Sequence, residues 1–302
     1  MPDEACAAPP DRWQGSPPPD GLVLVSTPIG NLGDLAPRAR ATLLVADTIL
    51  CEDTRRTAKL LSAIGAKARL QPLHEHNEDA AIPSVLEKLR EGRRIALVSD
   101  AGVPLVSDPG YRLVRAALAE GFGVAAVPGA NAAITALVLS GLPPLPFLVL
   151  GFPSPRRAAR RAAFGRLRAA ERAGLAATLI WYEAPHRLAE TLTDMAEAFG
   201  PRSAAVAREL TKRFEEVRRG ALPELAAHFA AAPARGEVTV VVGPPEDDDP
   251  EELDARLRAA LAGNSVKDAA ALVAVATGLP RKLVYARALT LSHERSQQGV
   301  KP

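Results

Sequence analysis

The sequence predicts an α/β protein: two α/β domains followed by a small C-terminal helical module. Three observations carry that prediction. From residue 22 onward, short apolar runs alternate with helical patterns, which argues for parallel strands covered by helices on both faces. A Gly- and Pro-rich break, Gly151-Phe-Pro-Ser-Pro155, separates two such blocks. An acidic, Pro-rich run from Gly243 to Pro250 then precedes a segment with helical patterning only.

Residues 1–20 hold Pro2, Pro9, Pro10, Pro17, Pro18 and Pro19 and read as a disordered arm with too few apolar groups to pack. The first domain is expected over 21–150. Its strands are Leu22–Ser26, Thr48–Cys51, Ile95–Val98, Gly123–Val127 and Phe147–Leu150. Its helices are Ala36–Ala46, Arg55–Ile64, Tyr111–Ala119 and Asn131–Ser140, with another at Pro83–Arg90, where a first-turn Pro sacrifices no hydrogen bond. The second domain is expected over 151–243, with strands at Thr178–Tyr182, Ala204–Ala207, Phe214–Arg218 and Val238–Val242. Its helices lie near Pro185–Phe199 and Pro223–Ala230. Residues 244–252 read as a linker and 253–292 as the helical module. There Ser265-Val-Lys-Asp268 resembles a capping box, Gly278 ends one helix and Pro280 opens the next. The pair reads either as a helix-turn-helix or as a small cap on the main body.

Composition narrows the class. The chain has 302 residues, is 47% hydrophobic, and balances 37 Lys+Arg against 35 Asp+Glu for a net charge of +2. Any nucleic-acid contact must therefore come from a local basic patch. Two cysteines, Cys6 and Cys51, do not make a disulfide framework, so a reducing cytoplasm is expected. No stretch approaches the roughly 18 apolar residues of a membrane span, and the acidic, Pro-rich start does not read as a signal peptide.

Three loops follow predicted strand ends: Thr27-Pro28-Ile-Gly30-Asn31-Leu-Gly33-Asp34, Ser99-Asp100-Ala-Gly102-Val-Pro104 continuing to Gly110, and Pro128-Gly129-Ala-Asn131. Ligands in open α/β sheets bind outside the carboxyl ends of strands, so the three together predict one crevice. Neither a dinucleotide fingerprint nor a P-loop is present. Glu52-Asp53-Thr54-Arg55-Arg56 reads as a helix cap or as a charged lip of that crevice. His74-Glu75-His76-Asn77-Glu78 lacks the helical spacing of a zinc motif and is read as a polar loop near substrate, with no metal. Glu183-Ala-Pro-His186-Arg187 ends another apolar run and offers acid/base and anion-binding groups. Arg208-Glu209-Leu-Thr211-Lys212-Arg213 is similar in form and position. Arg156, Arg157, Arg160, Arg161, Arg166, Arg168 and Arg172 make a one-signed run opposed only by Glu171. Arginines four apart repel each other on one helix face, so the run predicts a polyanionic partner, RNA.

Taken together, Thr27-Pro-Ile-Gly-Asn31, Glu52-Asp-Thr-Arg55, Leu73-His-Glu-His-Asn-Glu78, Leu97 to Leu105, Asp108-Pro-Gly110, Val127-Pro-Gly129, Tyr182 to Arg187 and Ala207 to Lys212 resemble the small-subunit ribosomal RNA 2′-O-ribose methyltransferases of the tetrapyrrole methylase superfamily. The resemblance spans roughly residues 22 to 291. It implies two α/β domains with S-adenosylmethionine in the cleft between them, a homodimer, and methylation of a cytidine ribose in the decoding region of 16S rRNA. It further implies cofactor contacts from Pro28, Gly102, Val103, Val106, Asn131, Ala132, Glu183 and Leu210. Val103 stands where a Thr is expected, and Ala184-Pro185 where a small hydroxyl pair is expected. Candidate catalytic groups are Asp100, Glu183 and His186. Candidate RNA contacts are Arg156, Arg157, Arg160, Arg161, Arg187 and Lys212. A tetrapyrrole carbon methylase and a non-catalytic RNA-binding module are the alternatives. The Arg run and helical module argue against the first; calorimetry with S-adenosylmethionine separates the second.

Overall fold

The computed structural model describes residues 20–245, 250–277 and 279–297, without side-chain detail at 250–252 and 295–297. The expected Pro-rich arm up to residue 19, Cys6, residues 246–249 of the acidic linker and the Gly278 helix stop lie outside the described residues. By their contacts the residues form two compact units. Of the described residues, the first holds those up to Ala132 together with Leu210–Arg213, and the second holds the others.

The first unit is a five-stranded parallel sheet in the order β3-β2-β4-β1-β5. Its strands are β1 (Leu22–Val25), β2 (Thr48–Cys51), β3 (Arg69–Pro72), β4 (Ile95–Val98) and β5 (Val124–Val127). Its helices are α1 (Pro37–Val45), α2 (Thr54–Ile64), α3 (Glu78–Arg90) and α4 (Tyr111–Ala119). Alternate strand residues feed opposite cores, as the pleat requires. Val23, Val25, Ile49, Cys51, Ala96 and Val98 pack with Leu43 and Leu61 of α1 and α2. Leu22, Leu50, Ile95 and Leu97 pack with Val85, Leu89 and Leu113 of α3 and α4. Both faces are covered, which is why these strands read as continuous apolar runs.

Two expectations are corrected here. The third helix begins at Glu78 rather than Pro83, leaving Pro83 inside it. Its first turn is held by tertiary contacts: the buried Glu78 carboxylate accepts the Leu113 N–H at 3.0 Å and the Arg112 Nε–H at 3.3 Å. Those contacts offset what an internal proline costs. Strand β3 was not anticipated, because Arg69-Leu-Gln-Pro72 lies at a sheet edge with its outer residues exposed, and so lacks an apolar run.

The second unit holds α5 (Ala132–Ser140, its first residue shared with the first unit), β6 (Phe147–Val149), α6 (Arg157–Arg172), β7 (Thr178–Glu183), α7 (Leu188–Phe199), β8 (Ser203–Arg208), β9 (Glu216–Ala221), α8 (Leu222–Ala231) and β10 (Val238–Val242). Its sheet runs β6-β7-β10-β8-β9; β6 and β7 are parallel and the other pairs antiparallel. Strand β9 is displaced toward the C-terminus from the expected Phe214–Arg218, and Phe214 is exposed rather than an anchor. Phe164, Trp181 and Phe199 interlock in the core, with ring centroids 5.6–6.1 Å apart. Three further helices, α9 (Pro250–Leu261), α10 (Val266–Thr277) and α11 (Arg281–Gln297), share a small core of their own around Leu257, Ala269, Val273, Val284 and Leu291. Ser265 caps α10: its hydroxyl oxygen accepts the Asp268 N–H at 3.2 Å.

Candidate functional site

In the first unit's strand order, β1 lies between β4 and β5. The loops after β1, β4 and β5 therefore leave adjacent strands on the same edge, where an open α/β sheet reverses its winding. They are joined by backbone. Thr27 and Gly102 exchange both hydrogen bonds, at 2.9 and 3.1 Å. The Thr27 hydroxyl donates to the Ser99 carbonyl at 3.1 Å, and the Ser99 hydroxyl to the Gly102 carbonyl at 2.9 Å. Gly102 has φ +84°, and a Cβ there would press on Ile29 at 3.3 Å and on the Ala130 carbonyl at 3.4 Å. One glycine thus touches all three loops.

The β4 loop holds two further residues in the left-handed region, Leu105 (φ 71°) and Ser107 (φ 68°). Non-glycine residues of this kind are strained and collect at functional sites. Thr27, Pro28, Gly30, Leu32, Arg56, Thr57, Leu60, Ser99 and Asp100 line a cavity of about 200 Å³. Leu32 and Leu60 supply apolar wall; Thr27, Ser99 and Asp100 supply polar groups. Of the expected cofactor contacts, Pro28 alone is in this lining.

Asp100 is a brace as well as a wall. Its carboxylate accepts the Asp53 N–H at 3.1 Å and pairs with Arg56 at 3.5 Å, tying the β4 loop to the start of α2. Asp53 caps α2 by accepting the Arg55 N–H at 2.8 Å, and that side-chain and backbone partnership draws its pKa down to about 2. Asp108 behaves oppositely. Burial, reinforced by the negative charges of Glu52 and Asp100, pushes its pKa up to about 7. Glu78 is raised by burial but lowered further by its Leu113 and Arg112 donors, ending below the usual carboxylate range.

Seven of the expected cofactor contacts, Pro28, Gly102, Val103, Val106, Asn131, Ala132 and Leu210, fall in this unit, as does Lys212. Arg56, read in sequence as part of a charged lip, does line the cavity, whereas sequence reasoning missed Thr57 and Leu60 as wall residues. Their only sequence signal is their place in the first turns of the helix that leaves β2. It also missed the seat between Gly30 and Lys212: a Cβ on Gly30 would fall 2.5 Å from Lys212 Cγ.

Glu183, His186, Arg187 and the Arg run belong to the second unit. The Glu183 carboxylate is buried and already accepts the Thr191 hydroxyl at 2.5 Å, the Ala184 N–H at 2.7 Å and the Arg187 guanidinium. A carboxylate so occupied is a positioning group rather than a free base. Arg187, expected to face phosphate, is drawn inward onto Glu183, while His186 is exposed.

The Arg run is corrected most sharply. Arg160 is fully buried, with Nε donating to Asp194 at 2.8 Å and its guanidinium 2.8 Å from Glu190. Arg157 pairs with Asp194 at 3.0 Å and Arg161 with Glu197 at 2.6 Å. The counter-charge to the run is thus largely helix α7. Only Arg156, Arg157 and Arg161 of the four named residues keep an exposed surface. Among the described residues, no cluster of three or more His, Cys, Asp or Glu side chains is arranged to hold a metal ion. No helix among them is long and apolar enough to cross a membrane.

Residues 21–226 match the family of Tetrapyrrole (Corrin/Porphyrin) Methylases. The chain belongs to the tetrapyrrole methylase family. Residues 247–292 match a second family, the RsmI C-terminal HTH domain, which settles the reading of the last helices as a helix-turn-helix module. Two similar curated proteins are named ribosomal RNA small subunit methyltransferase I. The one from Mesorhizobium japonicum is 46% identical over 89% of this chain and 92% of its own length. The one from Micromonospora olivasterospora is 46% identical over 91% and 88%. Among solved structures, a uroporphyrin-III-C-methyltransferase from Thermus thermophilus has a TM-score of 0.51 at 25% identity, over 74% of this chain and 93% of that one. A diphthine synthase shares the fold, with a TM-score of 0.55 at 15% identity over 74% and 90%. The expected two-sheet methylase architecture is borne out, and with it the S-adenosylmethionine dependence of a family of methylases.

Proposed function

We propose that this chain transfers the methyl group of S-adenosylmethionine to the 2′-oxygen of a cytidine ribose in the decoding region of 16S rRNA, as a cytoplasmic homodimer. The observation that carries the reading is the 46% identity to ribosomal RNA small subunit methyltransferases I over about nine-tenths of the chain. It includes the C-terminal module, which a small tetrapyrrole substrate does not require. In this reading the methylase domains are the two sheet units, and β6 (Phe147–Val149), expected within 21–150, goes with the second because it pairs with β7; 244–252 is the linker and 253–292 the module.

S-adenosylmethionine supplies an electrophilic methyl. Pro28, Gly102, Val103, Val106, Asn131, Ala132 and Leu210 would hold it, mostly through backbone. The three stitched loops keep that backbone rigid, so little ordering cost remains to be met on binding. The 2′-hydroxyl must sit within about 3 Å of the methyl and in line with the bond that breaks. Arg156, Arg157 and Arg161 hold phosphate at the exposed part of the basic helix. Of the candidate acid/base groups, Asp100 orders the cavity wall and Glu183 orders the turn that carries the exposed His186.

Ribose-methylation mapping of small-subunit RNA tests the reading. Cells lacking the protein should lose one cytidine 2′-O-methyl group, and the purified chain should restore it. Normal methylation at every site would refute the proposal. Calorimetry with S-adenosylmethionine is the companion test; RNA retention without cofactor binding would instead indicate a binding module.

A further inference from the structure

Lys212 comes from the second half of the chain, yet Leu210–Arg213 packs with the first unit. The turn that delivers it contains two non-glycine residues in the left-handed region, Glu209 (φ 51°) and Thr211 (φ 66°). Besides Leu105 and Ser107 of the cavity loop, these are the only such residues among the described ones. The lysine stem lies flat on Gly30, a wall residue of the cavity. A Cβ on Gly30 would stand 2.5 Å from Lys212 Cγ, 2.8 Å from Cε and 3.0 Å from Thr211 Oγ1. A methyl group at position 30 would therefore displace the lysine stem from its present place. Lys212 is half-buried, and its Cε, one bond from the ammonium, lies over Gly30 in the loop that follows β1. A lysine that only attracts RNA needs neither a glycine seat nor a strained turn; solvated surface lysines do that work.

We propose that Lys212 is a catalytic residue whose ammonium donates a hydrogen bond to the attacking 2′-oxygen, and that Gly30 is the positioning residue that seats it. The inference rests on the ribose-methylation reading above. A ribose hydroxyl is a weak acid, and its oxygen gains negative character as its proton departs. As the oxygen–carbon bond forms, the carbon–sulfur bond breaks with its electron pair going to sulfur, and the hydroxyl proton passes to water. The ammonium is unchanged at the end. Its contribution is a fixed cation where charge develops, in a site partly screened from solvent.

The test uses the full-length chain with small-subunit RNA, in the forms Lys212→Met, Lys212→Arg, Gly30→Ala and the Gly30→Ala/Lys212→Met double variant. Single-turnover methylation should fall about 100-fold in Lys212→Met and recover in part in Lys212→Arg. Gly30→Ala should also slow the chemical step, and the double variant should be no slower than Lys212→Met, because the two changes remove one interaction. Calorimetric affinity for S-adenosylmethionine, RNA affinity by filter binding and thermal midpoint should stay close to the parent values in Lys212→Met. The assignment is overturned if RNA affinity drops while the chemical step is unchanged, which is phosphate steering, or if cofactor affinity drops, which is a cofactor contact. It is also overturned if Gly30→Ala keeps the full rate. The unaltered chain is assayed first. If it fails to methylate any small-subunit RNA, the substrate reading falls and takes this inference with it; if it methylates and Lys212→Met is unimpaired, this inference alone falls.

Discussion

The loop edge of the first unit and the α6–α7 face of the second use charge and backbone in opposite ways. At the loop edge, Thr27, Ser99 and Gly102 join through main-chain and hydroxyl bonds, and strain is stored in Leu105 and Ser107. Side-chain charge there braces the loops, as where Asp100 meets Arg56, and one carboxyl, Asp108, is held up to about pKa 7 by burial and its acidic neighbours. At the α6–α7 face, a dense set of arginines is met by an equally dense set of carboxylates from the next helix in the chain. The first arrangement keeps backbone available for a ligand. The second consumes most of its charge internally. A run of arginines in a sequence therefore says little about partners until the helix it packs on is known.

The largest effect that sharpens this contrast is expected at Arg160. Its side chain and that of Asp194 are both fully buried. Removing Arg160 takes one of two hydrogen-bonding guanidiniums from the buried Asp194 carboxylate and leaves Arg157, so Arg160→Met should cost about 3 kcal/mol, the lower end of the range for breaking a buried pair. Urea unfolding measures it. Adding Asp194→Leu should return most of the loss, because an apolar pair of similar volume often replaces a buried ion pair at little cost. A loss below about 1 kcal/mol in the single variant would mean that the pair is no more than a surface salt bridge, and the contrast would collapse.

The same contrast explains what was legible in the sequence. The parallel sheet was legible because Leu22–Val25, Thr48–Cys51 and Ile95–Val98 are buried on both faces and so lack any polar alternation. The three ligand loops were legible because Gly and Pro punctuate strand ends for reasons local to the chain. Strand β3 was hidden because edge residues need not be apolar. The start of α3 was hidden because it depends on Glu78 meeting the Leu113 N–H, a contact 35 residues away. The burial of Arg160 was hidden for the same reason, since Asp194 is a partner 34 residues distant. Spacing within a helix shows which charges share a face, and nothing about what covers that face. The Lys212 seat is the hardest case: Gly30 and Lys212 stand out in sequence for separate reasons, a ligand loop and an RNA contact, and only the fold brings them together.

A smaller effect is expected from pH. An aspartate ordinarily titrates near 3.8, while Asp108 is raised to about 7 in the folded protein. Between those values the unfolded chain has released its proton and the folded chain still holds it. Folding is therefore favoured below pH 3.8 and progressively less favoured as pH rises to about 7, since stability falls wherever the folded state binds more protons. Asp108→Asn should flatten that part of the stability–pH profile and raise the thermal midpoint at pH 8 relative to the parent. Parallel profiles for the two proteins would show that the carboxyl is solvated and that neither burial nor its acidic neighbours act on it.

The smallest effect, and the most discriminating, is expected at Arg156. It is exposed, and unlike Arg157, Arg160 and Arg161 its guanidinium makes no ion pair with helix α7 among the described residues. Arg156→Ala should change stability by no more than about 0.5 kcal/mol, as surface substitutions do. If the exposed end of α6 meets RNA, the dependence of log affinity on log salt should flatten by about 0.7–0.9, the share of one released counterion. Arg161→Ala should flatten it by less, because Glu197 already neutralises that charge at 2.6 Å. Equal slopes for the two variants would mean that RNA displaces the α7 carboxylates, and the face would then be a shared charge network open to exchange rather than a closed internal one. A slope unchanged in both would remove α6 from the RNA interface altogether and leave the attraction to other basic groups.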